Sequence, residues 1–521
     1  HRDLHLSLRR QRQMCIRDRV RRKLRAVAGE LGEVDIAAQL EFEKGLVFVY
    51  RANPETSCLV EFDSEPPHPL NEEALELTLQ VCKLLGSKVV DEVHVMRKTV
   101  IDGSNTSGFQ RTALVGVGGV VETSKGKVRI TNVQLEEDAA TPIERKEGEV
   151  VYRLDRLGIP LIELGTKPDI KDPQHLKETA LRIGALLRAT GKVKRGIGSI
   201  RQDLNISIRD GALIEVKGVQ ELNLISKVVE YEVQRQLKLL EIKNELKKRG
   251  LSDEELKEEF FDLTDVFKET KSGIIRRALE KGGVVLAVKL PKTAGLLKVE
   301  LEPKLRFGTE LSDHAIFYGG VGGIFHTDEL PAYGITQAEV EKVRAVLGLS
   351  DLDAAVIVAD QPKKARDALK AVVERVKEAL KGVPEETRAA KPDGTTRYMR
   401  PRPGAARLYP ETDVPPIPVS LKMLEEAKKT LPPPIEEQIK SLMGEFKINR
   451  KLAEQLLDSD YLNLFEKIVV EKQRQLKPGL YVTSPRSQRH LTKPLSRYGQ
   501  EKRGIPNFIG NAIPFEEIFG R

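Results

Sequence analysis

Carboxylates gather at three places in the first half of the chain: Glu136, Glu137 and Asp138 in LEEDAA, Glu163 in GIPLIELGTKPD, and Asp203 in IRQDLNISI. Hard oxygen donors of this kind suit Mg2+, which takes one or two protein carboxylates and completes its octahedron with water and substrate phosphates. Magnesium in turn implies phosphate chemistry. Singly, each acid reads as a solvated residue, but the apolar lead-in Ile159-Pro160-Leu161-Ile162 places Glu163 at the mouth of a buried strand. A second concentration is IDGSNTSGFQRTAL (101–114), where Asp102, Ser104, Asn105, Thr106, Ser107 and Gln110 are flanked by Lys98 and Arg111. Small polar residues there either wrap a ligand or form a solvated loop of Asx-type turns, and the sequence leaves both open.

Standard nucleotide and hydrolase motifs are missing. There is no GxxxxGK[ST], HExxH or GxSxG, and no complete GxGxxG opening a helix. The glycine-rich GGVGGIF (319–325) lacks the lysine and following helix of a phosphate cradle and reads as a plain turn. Three cysteines (Cys15, Cys58, Cys82) without a CxxC pair support neither a disulfide framework nor a cysteine zinc site. Cys82 lies on an apolar helical stripe and is a core residue.

The elements that position these residues are legible from periodicity. Asn71 precedes a helix whose Leu75, Leu79, Cys82 and Leu85 recur at helical spacing up to Gly86. Asp172 and Pro173 open a second helix that runs to Gly191, and a third covers about 223–248. Strand patterns occupy 90–96, 127–138 and 202–218, the last with Asp210-Gly211 marking a hairpin. A three-residue loop with Gly211 left-handed would set Asn205 opposite Lys217 and Ser207 opposite Glu215; a two-residue turn would not, and the sequence does not choose. Residues 266–392 form an α/β insert with strands VVLAVKL and AAVIVAD, a capping box Thr336 to Glu339, and a helix from Pro362 to Gly382. The stretch 392–418, bearing Arg397, Arg400, Arg402 and Arg407, has too many Pro and Gly for a regular element and reads as an extended connector. Residues 420–470 return to helical periodicity.

With 521 residues, 40% hydrophobic and 31% charged, the chain is a multidomain folded protein. No apolar run approaches a membrane span or a secretory signal, which makes a cytoplasmic, non-membrane protein the expectation. The net charge of +8 is no footprint of a nucleic-acid-binding body. Residues 1–30 hold ten Lys/Arg against three Asp/Glu and residues 471–521 ten against four, so the body between them is mildly acidic.

Several long segments together resemble the GatB/GatE family of glutamyl-tRNA(Gln) amidotransferase subunits. They are SEPPHPLNEEALEL (64–77), DEVHVMRKTVIDGSNTSGFQRTAL (91–114), LEEDAA (135–140), YRLDRLGIPLIE (152–163), LRATGKVKRGIGSIRQDLNISI (187–208), IEVKGVQEL (214–222) and YMRPRPGAARLYPETDVPP (398–416). The resemblance implies an α/β (α+β) multidomain fold. A cradle domain over 21–265 holds the kinase and transamidase site, and 266–392 is an insertion similar to that of bacterial-type aspartyl-tRNA synthetases. The chain returns to the cradle at 393–420, a helical tRNA-binding domain covers 421–480, and 481–521 is a truncated or divergent tail. Residues 1–20 are expected to be non-native or disordered.

The implied reaction is an ATP-dependent ligation: the glutamate of mischarged Glu-tRNA(Gln) is phosphorylated and ammonia then displaces the phosphate. The chain lacks a recognisable glutaminase site, so the resemblance implies ammonia from a GatD-type glutaminase partner, in a heterodimer or dimer of heterodimers. Carried over by position, Glu136 and Glu163 resemble the acidic Mg2+ ligands and, with Asp203, the catalytic group. Lys98, Asp102, Ser104, Asn105, Gln110, Arg111, Arg201, Asn205, Glu215 and Lys217 are the implied ATP- and substrate-binding residues. Family members supply another Glu and a His from an N-terminal GLEIH-type strand, where this chain has HRDLHLSLRR. A second reading follows from that departure: a tRNA-binding protein that keeps the scaffold without the chemistry. A third, an aspartyl-tRNA synthetase, rests on the insert alone.

Overall fold

The computed structural model describes residues 19–476 except 29–31, 54, 147, 195–197, 403–407 and 460. The expectations for the HRDLHLSLRR segment, for Arg407 and for the tail after 480 therefore lie outside the described residues, as does nearly all of the 1–20 expectation. The chain divides into two compact units, one of residues up to 184 with 200–431, the other of 185–199 with residues from 432. Among the described residues no helix is long and apolar enough to cross a membrane.

The first unit is built on mixed sheets. One runs β1 (Arg19–Arg22), β2 (Val47–Arg51), β7 (Glu149–Arg153), β6 (Thr141–Lys146). Its buried face carries Phe48, Tyr50, Val150 and Tyr152, with Tyr50 stacked on Tyr152. The sheet that bears the acidic residues runs β8 (Pro160–Thr166), β5 (Gly126–Glu137), β4 (Phe109–Val117), β3 (Val95–Thr99), β15 (Leu408–Pro410), all antiparallel neighbours. Helix α1 (Glu72–Leu85) packs on it: Asn71 caps the Ala74 amide at 2.8 Å, and Gly86 ends it in the left-handed conformation. Cys82 is fully buried, and burial pushes its thiol up to about 12, as suits a core residue.

A further sheet runs β9 (Leu204–Ile206), β10 (Ile214–Lys217), β13 (Glu386–Ala390), β14 (Thr396–Pro401). Its apolar face, Leu204, Ile206, Ile214 and Val216, packs on Ile225 and Val228 of α3 (Leu222–Lys248). The choice that the sequence left open is made here: the register sets Asn205 opposite Glu215, not Lys217. Asp210, not Gly211, takes the left-handed conformation, at φ 64°, which a short polar side chain tolerates; Gly211 serves close approach, since a Cβ there would stand 2.2 Å from Gln236 Oε1. The stretch expected to be an irregular connector also contains β14, since Thr396-Arg-Tyr-Met-Arg is strand-forming and its Pro401 falls at the end of an edge strand, where a lost N–H is harmless.

Residues 260–381 surround the sheet formed by β11 (Val284–Leu290) and β12 (Ala354–Asp360) with their short neighbours. Helices α4 (Phe307–Gly319) and α5 (Pro362–Lys381) cover it. The glycine-rich segment is the exit of α4, with Gly320 left-handed as its cap.

A fully buried ionic cluster lies where α3, α4, α5 and β13 meet. Arg235 donates to both oxygens of Glu232 (2.9 and 3.1 Å) and to Glu310 at 2.9 Å. Arg375 donates to Glu310 from Nε at 3.0 Å. Arg388 donates to Glu386 at 2.6 Å and to Thr396 Oγ1 at 2.7 Å, and Thr396 in turn donates to Glu302. Burial alone would push Glu386 up, but the Arg388 and Arg235 guanidiniums outweigh it and hold the carboxyl at about 2.

In the second unit, α6 (Ile435–Phe446), α7 (Arg450–Asp458) and α8 (Leu462–Leu476) enclose a small core of Ile439, Leu442 and Ala453, with Phe446 edge-on to Phe465.

Removing one member of the buried cluster leaves an uncompensated charge. Glu310→Leu should destabilise the protein by about 3–5 kcal/mol, read as a lower denaturant midpoint in chemical unfolding.

Candidate active site

Strand register builds the acidic site. Lys98 pairs with Gln110, Thr112 with Glu136, and Glu136 with Leu161, so all of these share one sheet face. Glu163 lies two residues beyond Leu161 on the same face, diagonal to Glu136. The two expected carboxylates therefore come together from neighbouring strands, β5 and β8.

Glu136 is buried. Lys98 Nζ donates to its Oε1 at 2.6 Å, Gln110 Nε2 approaches its Oε2 at 3.3 Å, and Glu163 and Thr112 complete its hydrogen bonds. Burial would raise the Glu136 carboxyl, yet Lys98 and these hydrogen bonds hold it below its usual range. Glu163 is exposed and lies in the middle of β8, an edge strand without a fully buried residue, so the expected placement at the mouth of a buried strand does not hold; the apolar lead-in covers a sheet edge and not a core. Desolvation, then the Glu136 charge and the hydrogen bond between the two carboxyls, push it up to about 7. Two carboxyls side by side, one of them pushed up, make an arrangement that a divalent cation would relieve by supplying positive charge to both. The oxygen donors fit such an ion, although among the described residues no group of three or more His, Cys, Asp or Glu side chains is placed to hold a metal.

The β9–β10–β13–β14 sheet contributes the facing charges. Lys217 Nζ donates to Asp203 Oδ2 at 2.7 Å and lies 3.0 Å from Glu215 Oε1, and its positive charge also acts on Glu163. Thr387 Oγ1 donates to Glu215 Oε2 at 2.9 Å. Asn205 is exposed beside Glu215.

Other expected residues are placed differently. Arg111 is buried, bonded to the His68 carbonyl and to Glu137. Asp102 Oδ1 accepts from the Ser104 amide (2.9 Å) and hydroxyl (2.6 Å), which forms an Asx turn within the 101–108 loop. Asn105 is buried, and Tyr50 and Tyr152 donate to the Gly103 and Asp102 carbonyls at 2.8 Å, pinning the loop to the neighbouring sheet. Gly103 is required there: at φ +89°, an added Cβ would stand 2.2 Å from Phe48 Cδ1. Arg201 donates to the buried Asp138 at 3.0 Å, which Arg156 also grips through Nε (2.8 Å) and Nη2 (2.6 Å).

Two features carried no signal in residue type or spacing. Arg156 lies 18 residues from Asp138, and nothing in the sequence between them announces the pair. Arg97, next to Lys98, donates to both oxygens of buried Glu411 (2.8 and 2.6 Å) and stacks over Phe109 at 4.4 Å. The YPETD string carrying Glu411 is visible in the sequence, but only the β15–β3 pairing of Tyr409 with Arg97 shows what it grips.

The family described as the GatB/GatE catalytic domain matches residues 4–425. The chain belongs to this family. Among relatives of this GatB/GatE member, the E-type subunit of glutamyl-tRNA(Gln) amidotransferase from Pyrococcus furiosus is 55% identical over 460 residues, covering 88% of this chain and 72% of the relative. Its counterpart from Methanocaldococcus jannaschii is 55% identical over 464 residues, 89% and 73% of the two chains. That of Aeropyrum pernix is 53% identical over 460 residues, 88% and 72%.

Glu163 releases its proton near pH 7 when folded, against 4.5 for an unperturbed glutamate. The folded state therefore holds the extra proton between those values, so this contribution to stability is present below pH 4.5 and lost as pH rises through about 7. In divalent-free buffer, the denaturation midpoint of Glu163→Gln should fall less than the parent's between pH 5 and pH 8; equal slopes would contradict the raised Glu163 carboxyl.

Proposed function

We propose that this chain is the tRNA-modifying subunit of an ATP-dependent, glutamine-hydrolysing glutamyl-tRNA(Gln) amidotransferase. The observation that carries this reading is the hydrogen-bonded Glu136–Glu163 pair flanked by Lys98 and Lys217, in a member of the GatB/GatE family. The side-chain carboxylate of the glutamate on Glu-tRNA(Gln) attacks the terminal phosphorus of ATP. ADP leaves, and an acyl phosphate forms. Ammonia then attacks the acyl carbon, inorganic phosphate departs, a proton is lost from nitrogen, and Gln-tRNA(Gln) results. A carboxylate is a poor acceptor for ammonia, and the phosphorylation supplies the leaving group.

Glu136 and Glu163 would hold Mg2+, which when bound neutralises charge on the transferring phosphates. The chain's own residues set the stage for it. Gln110 and Thr112 fix the Glu136 carboxylate. Lys98 places an ammonium group on Glu136, the Lys217 charge acts on Glu163 through space, and Asp203 and Glu215 orient Lys217. Such fixed charges cost no reorganisation when the phosphoryl group moves. Ammonia comes in this reading from a GatD-type glutaminase partner, in a cytoplasmic heterodimer or dimer of heterodimers. The alternative of a non-catalytic tRNA-binding scaffold draws on the absence, among the described residues, of a third acidic or histidine group beside the pair.

With a glutaminase partner present, Glu136→Gln and Glu163→Gln should each lower formation of Gln-tRNA(Gln) by about 100-fold or more, with tRNA binding retained. Normal turnover in both variants would sink the assignment. If the parent chain binds Glu-tRNA(Gln) but shows no Mg2+-dependent ATP consumption, the scaffold reading stands instead.

A further inference from the structure

We propose that Arg400 is a further substrate-binding residue and forms, with Lys217, a subsite for an anionic group, phosphate or carboxylate. The inference rests on the amidotransferase reading and adds a residue to it.

Three registers carry it. Asn205 pairs with Glu215, Glu215 with Thr387, and Thr387 with Arg400. Paired residues point to the same side of a sheet, so these four stand abreast across all four strands. The opposite face holds Leu204, Ile206, Ile214 and Val216 against α3. The polar row is therefore the outer face of that sheet, and Lys217, two residues beyond Glu215, lies on it too.

Among the charged groups of the row, Glu215 and Lys217 are paired and Arg400 is not. Glu215 accepts from Thr387 on one oxygen and from Lys217 on the other. Lys217 is shared with Asp203. Arg400 acts on Glu215 through space, but among the described residues no carboxylate lies within ion-pair distance of its guanidinium, and its Nε is buried without a hydrogen-bond partner. A buried N–H of a charged group is rarely left in that state. A substrate anion at the guanidinium would supply an acceptor. A planar guanidinium offers the parallel N–H donors that match phosphate and carboxylate oxygens.

The charges also form a connected series. Lys98 meets Glu136, Glu136 meets Glu163, the Lys217 charge acts on Glu163, Lys217 meets Glu215, and Arg400 acts on Glu215. Arg400 closes this series at the end away from the carboxylate pair. An anion seated there would be a substrate's second charged group, held while its reacting group lies at Glu136 and Glu163.

The test uses the full chain with its glutaminase partner and the variants Arg400→Gln and Arg400→Lys. KM for ATP and for Glu-tRNA(Gln) is measured separately, with kcat and the thermal midpoint. Arg400→Gln should raise one KM by about tenfold or more, Arg400→Lys less, with the thermal midpoint of Arg400→Lys unchanged. A rise confined to ATP identifies the anion as a phosphate of the nucleotide; a rise confined to the charged tRNA identifies the substrate carboxylate or a phosphate of the RNA. Unchanged KM for both substrates in Arg400→Lys and Arg400→Gln, whatever kcat does, overturns the assignment. Should the parent chain itself consume no ATP, the amidotransferase reading fails before Arg400 is in question; an active parent with indistinguishable variants removes Arg400 alone.

Discussion

A carboxylate taken out of water has to be matched by a cation, by hydrogen-bond donors or by a proton. Glu310 and Glu386 are matched by Arg235, Arg375 and Arg388, Asp138 by Arg156 and Arg201, Glu411 by Arg97, and Glu136 by Lys98. Desolvating a lone carboxylate would cost several kcal/mol even after relaxation, so these pairings decide which elements can pack together. Glu163 differs: it is exposed, another carboxylate stands beside it, and its carboxyl is pushed up. Positive charge is therefore wanted beside the Glu136–Glu163 pair.

Much of the scaffold could be read from the residues. The Asn71 and Gly86 caps, the Asp172-Pro173 helix start, the Thr336 to Glu339 box and the strands at 284–290 and 354–360 are local signals, and local signals survive in a tertiary context. The 202–218 hairpin was less legible. The close approach that requires Gly211 is made by Gln236, which arrives from a helix that begins more than ten residues later. The 396–401 strand was hidden by its prolines, since its partner at 386–390 lies beyond a window of turn residues.

The candidate site shows the same division. Acid clustering and an apolar lead-in pointed to Glu136 and Glu163, and strand register brought them together. Composition could not reveal that Asp102 and Ser104 satisfy one another, that Asn105 is buried, or that Arg111 is engaged by Glu137 and His68. Those assignments depend on whether a polar side chain has spare hydrogen-bonding capacity, a property of the folded neighbourhood and not of residue type. Arg400 is the converse case: its type was plain in the sequence, and its spare donor was not.

The parallel pairing of β10 with β13 joins Glu215–Lys217 to Thr387–Ala389 across about 170 residues of chain. At a ribosome adding roughly 5–20 residues each second, β10 waits on the order of ten to thirty seconds for its neighbour to be synthesised. During that interval the strand bearing Glu215 and Lys217 has an open hydrogen-bonding edge, while the intervening lobe, with a hydrophobic core of its own, already has most of its residues. The sheet face bearing Glu215 and Lys217 is consequently completed only after the intervening lobe has emerged as nascent polypeptide.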